Sequence, residues 1–211
     1  TSMILGHASD IHGQLEIISG CPDVWLLTGD FLPNAGYGLG EEVEIAFQND
    51  WFLKNSEEIR IRLAGKPVLY VNGNHDFADL GQLLVNAGIE VHAVTPEGVE
   101  FNSLRFSGFR EVPFIVGDWV GETHDFRDLT YRTFSSDPDI LVTHAAPSGI
   151  LDNPRVQSHT GIREITNALT WQRHKIQAHF FGHVHNCGGQ SVEEMGIRFF
   201  NGATTCRMIE I

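Results

Sequence analysis

Five apolar runs of strand length punctuate the chain, at residues 4–8, 24–28, 68–71, 140–143 and 178–181, and each runs out into a loop bearing Asp, Asn or His. The loop segments are Ser9-Asp10-Ile11-His12-Gly13, Thr28-Gly29-Asp30, Gly73-Asn74-His75-Asp76, Thr143-His144 and Gly182-His183-Val184-His185. Four or five apolar residues bounded by Gly, Pro or Asp is the length of a buried strand, not of a helix. Helical patterns lie between them. Residues 41–62 carry Val43, Ile45, Ala46, Phe47, Phe52, Leu53 and Ile59, which approximates one apolar face. Residues 79–87 read as a second helix, capped by Asp79 and closed by Gly88, and 161–172 as a third. Over 99–107 and 190–211 the pattern shortens to alternating segments typical of antiparallel strands. The expected class is α/β: two packed sheets with helices on the outer faces. Ligands gather at the carboxyl ends of strands in such folds, and all five segments lie there. Residues 109–136, rich in Phe, Arg, Asp and Gly, read as the longest irregular stretch and as a pocket rim.

A chain of 211 residues fits one domain over 1–211, large enough to bury a sizeable core. Its net charge of −13 disfavours extended binding to nucleic acid, which leaves a basic footprint. No apolar run approaches the roughly 20 residues that span a bilayer, and the start lacks a basic stretch ahead of a long apolar one. Thr1-Ser2 ahead of Met3 reads as an expression remnant. Cys21, Cys187 and Cys206 are odd in number and form no CxxC pair, which predicts neither a disulfide framework nor a thiolate zinc site. A cytoplasmic location is expected. Cys187 stands two residues past His185 and reads as a small buried thiol.

The loop segments together offer enough oxygen and nitrogen donors for two divalent metals side by side. In Asp10-Ile11-His12 the polar side chains are two apart, so in an extended chain they point to one side and can close on one metal. His183-Val184-His185 repeats that spacing with two imidazoles. Taken singly such pairs are weak signals, since a lone buried His is most often simply hydrogen-bonded. Five of them on successive strand ends are not. Imidazole and carboxylate without thiolate suit Mn²⁺, Fe, Zn²⁺, Co²⁺ or Ni²⁺ better than Ca²⁺.

The segments DIHG at 10–13, GD at 29–30, GNHD at 73–76, His144 and GHVH at 182–185 occur in the order of the calcineurin-like metallophosphoesterase superfamily, which the sequence resembles over nearly its whole length. Within it, LLTGDF at 26–31, NDW at 49–51, LVTHAAPSGILD at 141–152 and FFGHVH at 180–185 resemble a small branch acting as cyclic nucleotide phosphodiesterases. The resemblance implies a four-layer αββα sandwich and two divalent metal ions, with Mn²⁺ foremost. It implies Asp10, His12 and His185 on one metal, Asn74, His144 and His183 on the other, and Asp30 bridging both. It further implies in-line attack on phosphorus by a hydroxide held between the cations, with catalytic His75 protonating the leaving oxygen. Asp76 could orient His75, or equally form a turn.

Protein phosphatases of this superfamily read GDxxDRG at the second motif, whereas here Pro33 and Asn34 replace the Asp and Arg. A phosphoprotein substrate is thereby disfavoured, because a dianionic monoester loses a guanidinium partner that a monoanionic diester needs less. Arg110, Arg127 or Arg155 could replace it, though solvated surface arginine is the default for each. No capping domain is evident, so a small-molecule phosphoester, above all a small phosphodiester, is the expected substrate. Phe77, Phe109, Trp119 and Phe126 could stack on a base or serve the core. His7, His92, His124, His159, His174 and His179 have no motif around them and read as surface or core residues. A phosphomonoesterase, a nucleotide pyrophosphohydrolase, a small nuclease or a non-catalytic scaffold are the competing readings. No repeat or coiled-coil seam specifies an oligomeric state.

Overall fold

A computed structural model describes residues 2–152 and 160–211. The first sheet has strand order β13 (Thr205–Glu210), β1 (Ile4–Ser9), β2 (Val24–Leu27), β3 (Val68–Tyr70) and β4 (Val91–Ala93). In it β1 to β4 run parallel and β13 pairs antiparallel with β1. The second sheet has the order β11 (Ser191–Glu194), β12 (Ile197–Asn201), β10 (Ala178–Phe181), β9 (Ile140–Thr143), β6 (Leu104–Phe109) and β5 (Val99–Phe101). Its central strands β12, β10, β9 and β6 are parallel and both edges antiparallel. The expected strands are therefore present, and 190–211 splits between the sheets, with β12 parallel to β10 rather than wholly antiparallel.

Side-chain alternation builds four layers. Leu5, Val24, Leu26, Leu69, Ile140, Val142, Ala178 and Phe180 face one another as an apolar slab between the two sheets. On the opposite face of the first sheet, Trp25, Leu27 and Val68 pack on helices α1 (Glu41–Leu63) and α2 (Leu80–Asn86). On the opposite face of the second, Leu141, Phe181 and Phe199 pack on α3 (Arg127–Ser135) and α4 (Arg163–Trp171). This is the αββα arrangement. Asp79 caps α2 as expected, its carboxylate accepting the Gln82 N–H at 3.3 Å.

Two expectations need correction. Residues 109–136 are not irregular throughout: they contain a two-strand ladder, β7 (Val112–Pro113) with β8 (Glu122–Thr123), and the helix α3. The sequence Arg-Asp-Leu-Thr-Tyr-Arg-Thr-Phe-Ser carries few apolar residues, and its capping position is Phe126 without a side-chain bond, so neither periodicity nor cap announced it. Of the apolar face expected in α1, Phe52 and Ile59 point inward but Val43, Phe47 and Leu53 are exposed, and Glu44, Gln48 and Leu63 complete the inward positions. The two polar ones bond to loop backbone, which removes the cost of burying them.

Candidate metal centre

β1, β2, β9 and β10 and the loop after β3 deliver the Asp, Asn and His segments to one place. The chain is not extended at the first and last of them. Asp10 and His12 have φ of 50° and 45°, Asp30 of 53° and His183 of 65°, all in the left-handed region that Asp, Asn and His tolerate better than other side chains. Backbone bonds from Asp10 N to Gly29 O and from His12 N to Asp30 O, both 2.9 Å, sew the loops after β1 and β2 together and hold these conformations. The alternation argument for Asp10 and His12 therefore gives way to a pair of tight turns.

Two groups of donors result. Asp10, His12 and His185 form one, Asp30, His144 and His183 the other, with the candidate ligand atoms of each group within 4.8 Å of one another. His183 and His185, two apart, divide between the groups instead of closing on one. His185 Nε2 lies 3.2 Å and His12 Nε2 4.0 Å from Asp10 Oδ1. Asp30 Oδ2 lies 3.3 Å from His144 Nε2 and 3.7 Å from His12 Nε2, so this one oxygen faces both groups. Asn74 Oδ1 stands 3.0 Å from His144 Nε2. All seven residues converge.

The orientation of each donor is fixed from behind. Asp10 Oδ2 accepts from Ser9 Oγ at 2.6 Å and His183 N at 2.9 Å, which leaves Oδ1 for the imidazoles. Asp30 Oδ1 accepts the His75 N–H at 2.8 Å and leaves Oδ2 free. His144 Nδ1 lies 2.7 Å from the Thr28 carbonyl, which can only accept, so Nδ1 carries the hydrogen. In neutral His144 the lone pair of Nε2 then faces an amide oxygen and a carboxylate oxygen. Three acceptors meet there without a donor, and His12 Nε2 is buried with no hydrogen-bond partner among the described residues. Such a set fits cations of the imidazole- and carboxylate-binding kind. The loops also approach with no room for side chains: a methyl on Gly73 would meet the Asp30 carboxylate, and one on Gly182 the Asp10 carboxylate.

Charge follows the same geometry. Burial opposes ionisation of His144, yet Asp30 and Asp10 outweigh it and push its pKa up to about 9. Burial likewise opposes charge on Asp30, but His144 and the neighbouring imidazoles hold its carboxyl well below the usual range. Burial takes His183 down to about 4, whereas the hydrogen bond to Asp10 raises His185. In the metal-free protein a proton on His144 thus supplies some of the positive charge that the carboxylates call for.

His75 sits beside the two groups and is clamped. Its Nδ1 lies 2.8 Å from Asn34 Oδ1, and its carbonyl accepts from Asn34 Nδ2 at 3.1 Å and Gln48 Nε2 at 2.7 Å. Asn34 Nδ2 also donates to buried Glu44 at 3.1 Å, which sets the amide so that its oxygen faces a protonated Nδ1. The His75 ring lies 3.8 Å from that of Trp119 and meets His12 edge-on at 5.1 Å. Burial lowers the His75 pKa.

The remaining expectations resolve as follows. Asp76 takes the turn-forming role, accepting the N–H groups of Gly73, Asp30 and Leu32 at 2.7, 2.8 and 3.0 Å; burial and the charge of Asp30 raise its pKa to about 6. Arg110 is not a solvated arginine, since its Nη2 donates to the Gly73 and Asp76 carbonyls at 2.5 and 2.8 Å. Arg127 pairs with Asp125 at the surface, and Arg155 and His159 lie outside the described residues. Phe109 and Phe126 belong to the core, while Phe77 is half-buried with its ring 6.1 Å from that of Trp119. His7 and His179 are buried, with Nε2 2.9 Å from Thr28 Oγ1 and 2.8 Å from Thr143 Oγ1 respectively, while His179 Nδ1 has no hydrogen-bond partner among the described residues. His92 pairs with Glu90, His174 with the Leu169 carbonyl, and His124 stacks on Phe114; Cys187 is buried. Glu44, Gln48 and Tyr37 were not foreseen; only the i, i+4 spacing of the first two could have signalled a polar inward face.

The fold and the clustered donors define a phosphoesterase of the metal-dependent kind. The chain belongs to the calcineurin-like phosphoesterase family, whose model matches residues 3–187. Among solved structures it is similar to a dimetal phosphatase from Danio rerio, at 13% identity and a TM-score of 0.52, covering 94% of this chain and 86% of that one. A conserved uncharacterised protein from Streptococcus pneumoniae, described as a predicted phosphoesterase, aligns at 15% identity over 100% of this chain and 84% of its own, with a TM-score of 0.34. No curated protein matches this chain.

Proposed function

We propose that this single-domain protein is a cytoplasmic phosphodiesterase that hydrolyses small phosphodiesters, cyclic nucleotides among them. Asp10, His12 and His185 would hold one divalent cation, Asn74, His144 and His183 the other, with Asp30 between them. The carrying observation is Asp30 Oδ2, which lies within 3.7 Å of imidazoles from both groups. Two cations bound there supply Lewis-acid polarisation of the phosphoryl group and of a water, with Mn²⁺ our first choice of metal. His75, fixed through Nδ1 by Asn34, presents Nε2 and in its cationic form gives a proton to the leaving oxygen.

The preference for diesters draws support from the arginines. Arg110 Nη2 donates to the Gly73 and Asp76 carbonyls and Arg127 pairs with Asp125, which turns part of each guanidinium away from a dianionic monoester. Three free cysteines, and no described helix long and apolar enough to cross a membrane, accord with the proposed location. The test is a matrix of Mn²⁺, Fe²⁺, Zn²⁺, Co²⁺ and Ni²⁺ against bis-p-nitrophenyl phosphate, cyclic nucleotides, simple monoesters and nucleoside diphosphate esters. Diesters are expected to turn over fastest. Faster monoesters or pyrophosphates would replace this reading, and no turnover under any metal would leave a scaffold.

A further inference from the structure

We infer that Glu44 is a positioning residue of the reaction: its buried carboxylate anchors the 34–36 loop on α1, and the anchored Asn34 amide holds the His75 ring so that Nε2 meets the leaving oxygen. This goes beyond the proposed function and rests on His75 as the proton donor. Glu44 is 2% exposed and lies on the inward face of α1, where Phe52 and Ile59 pack. An apolar side chain would fill that face as theirs do, whereas the carboxylate supplies acceptors. Its Oε2 accepts from Asn34 Nδ2 at 3.1 Å and from Ala35 N at 2.9 Å, and its Oε1 from Gly36 N at 3.2 Å. Among the described residues these partners are amides, and none is a cation.

Three consecutive residues of the loop are thus held through one side chain. Both hydrogens of Asn34 Nδ2 are taken, one by Glu44 and the other by the His75 carbonyl at 3.1 Å, so Oδ1 is the atom left to face Nδ1 of His75 at 2.8 Å. Asn34 therefore grips His75 at the ring and at the backbone. One helical turn on, Gln48 Nε2 donates to the carbonyls of Pro33 and His75 at 3.1 and 2.7 Å, which ties both sides of this contact to the same helix. The Trp119 ring, 3.8 Å from that of His75, covers one face of the imidazole, and the bond at Nδ1 sets the direction of the ring. When the P–O bond breaks, its electron pair goes to the leaving oxygen, which takes the proton from Nε2. A displacement of about 1 Å at such a donor costs on the order of 100-fold in rate.

Two diesters that share a methyl phosphate and differ in leaving group read this role: methyl phenyl phosphate, whose phenolate needs the proton, and methyl p-nitrophenyl phosphate, whose p-nitrophenolate departs without it. With saturating Mn²⁺, Glu44→Leu should lower kcat for the phenyl ester by about 10- to 100-fold at unchanged KM and bound metal, and leave the p-nitrophenyl ester nearly unaffected. Glu44→Gln keeps an oxygen for Asn34 and Ala35 and gives up only Gly36, so it should recover most of that loss. Equal losses on the two esters would assign Glu44 a merely structural part, and no loss on either would assign it none; both overturn the inference. Hydrogen exchange in the metal-free protein gives a readout apart from turnover, and it serves even where Glu44→Leu does not fold. In Glu44→Gln the Gly36 N–H should exchange faster while that of Ala35 stays protected; unaltered exchange at both refutes the anchor. His75→Ala on the same esters separates the two levels. If it slows both alike, the proton-donor reading fails; if it slows the phenyl ester selectively and Glu44→Leu does not, the positioning role alone fails. Should the wild type hydrolyse neither ester, the phosphodiesterase reading fails, and exchange still judges the anchor.

Discussion

The amide oxygen of Asn34 lies 2.8 Å from Nδ1 of His75, in the motif that reads GDxxDRG in the protein phosphatases this sequence was set against. The neutral amide orients the ring and stabilises its positive charge less than a carboxylate would, and burial lowers the His75 pKa. Asn34→Asp places an anion there and raises that pKa. A reaction that needs cationic His75 is lost as pH rises through this pKa, so the alkaline limb of log kcat moves to higher pH in the variant. Parallel pH profiles with the same metal check the shift; superimposable limbs contradict it.

His75 and Asp30 separate chemistry from metal binding. His75→Ala removes a proton donor and no ligand atom, so turnover of esters with poor leaving groups should fall by about 100- to 10,000-fold while bound metal stays constant. Asp30→Asn removes the charge shared by both groups, and elemental analysis should find metal lost along with activity. Metal retained in full by Asp30→Asn would refute the shared role of this carboxylate.

Metal competes with the proton on His144. A folded pKa of about 9 against an unfolded value of 6.5 means that His144 stabilises the metal-free fold fully below pH 6.5, and that this contribution is lost as pH rises through 9. Cation binding must expel the proton, so the His144 contribution lowers Kd by about tenfold per pH unit up to the folded pKa of about 9. Calorimetry in buffers of different ionisation enthalpy should count close to one proton released at neutral pH from this residue, and none above the upper limit.

The donors were legible in the sequence because the chemistry resides in the residue types themselves: Asp, Asn and His following short apolar runs identified both the strand ends and the site. The route by which they meet was not. Period-two alternation put Asp10 and His12 on one side of an extended strand, yet φ values of 50° and 45° bring them together. Asp76, poised between two roles, was decided by backbone N–H groups brought in by Asp30 and Leu32, more than forty residues away. Trp119 on His75 is again a contact between distant loops, for which local pattern carries no signal. In α1 periodicity held for Phe52 and Ile59 and failed for Val43, Phe47 and Leu53, since Glu44 and Gln48 turn inward to bond the loops.

The inward amide of α1 yields a stability test. Gln48 is fully buried; its Oε1 accepts the N–H groups of Phe77 and Ala78 at 2.9 Å each, and its Nε2 donates to the carbonyls of Pro33 and His75 at 3.1 and 2.7 Å. Gln48→Leu keeps the approximate volume and takes this partner from the Phe77 and Ala78 N–H groups and the Pro33 carbonyl, at about 1–3 kcal/mol for each that water cannot reach, while the His75 carbonyl keeps Asn34 Nδ2. Leu53, by contrast, is 75% exposed, and Leu53→Ala should change stability by no more than about 0.5 kcal/mol. Urea unfolding of both variants therefore inverts the usual expectation that the apolar residue matters and the amide does not. Because Gln48 grips the His75 carbonyl, Gln48→Leu should also lower kcat under conditions where the protein remains folded. Equal stability losses in the two variants, or a larger one for Leu53→Ala, would show that Leu53 and not Gln48 faces the core.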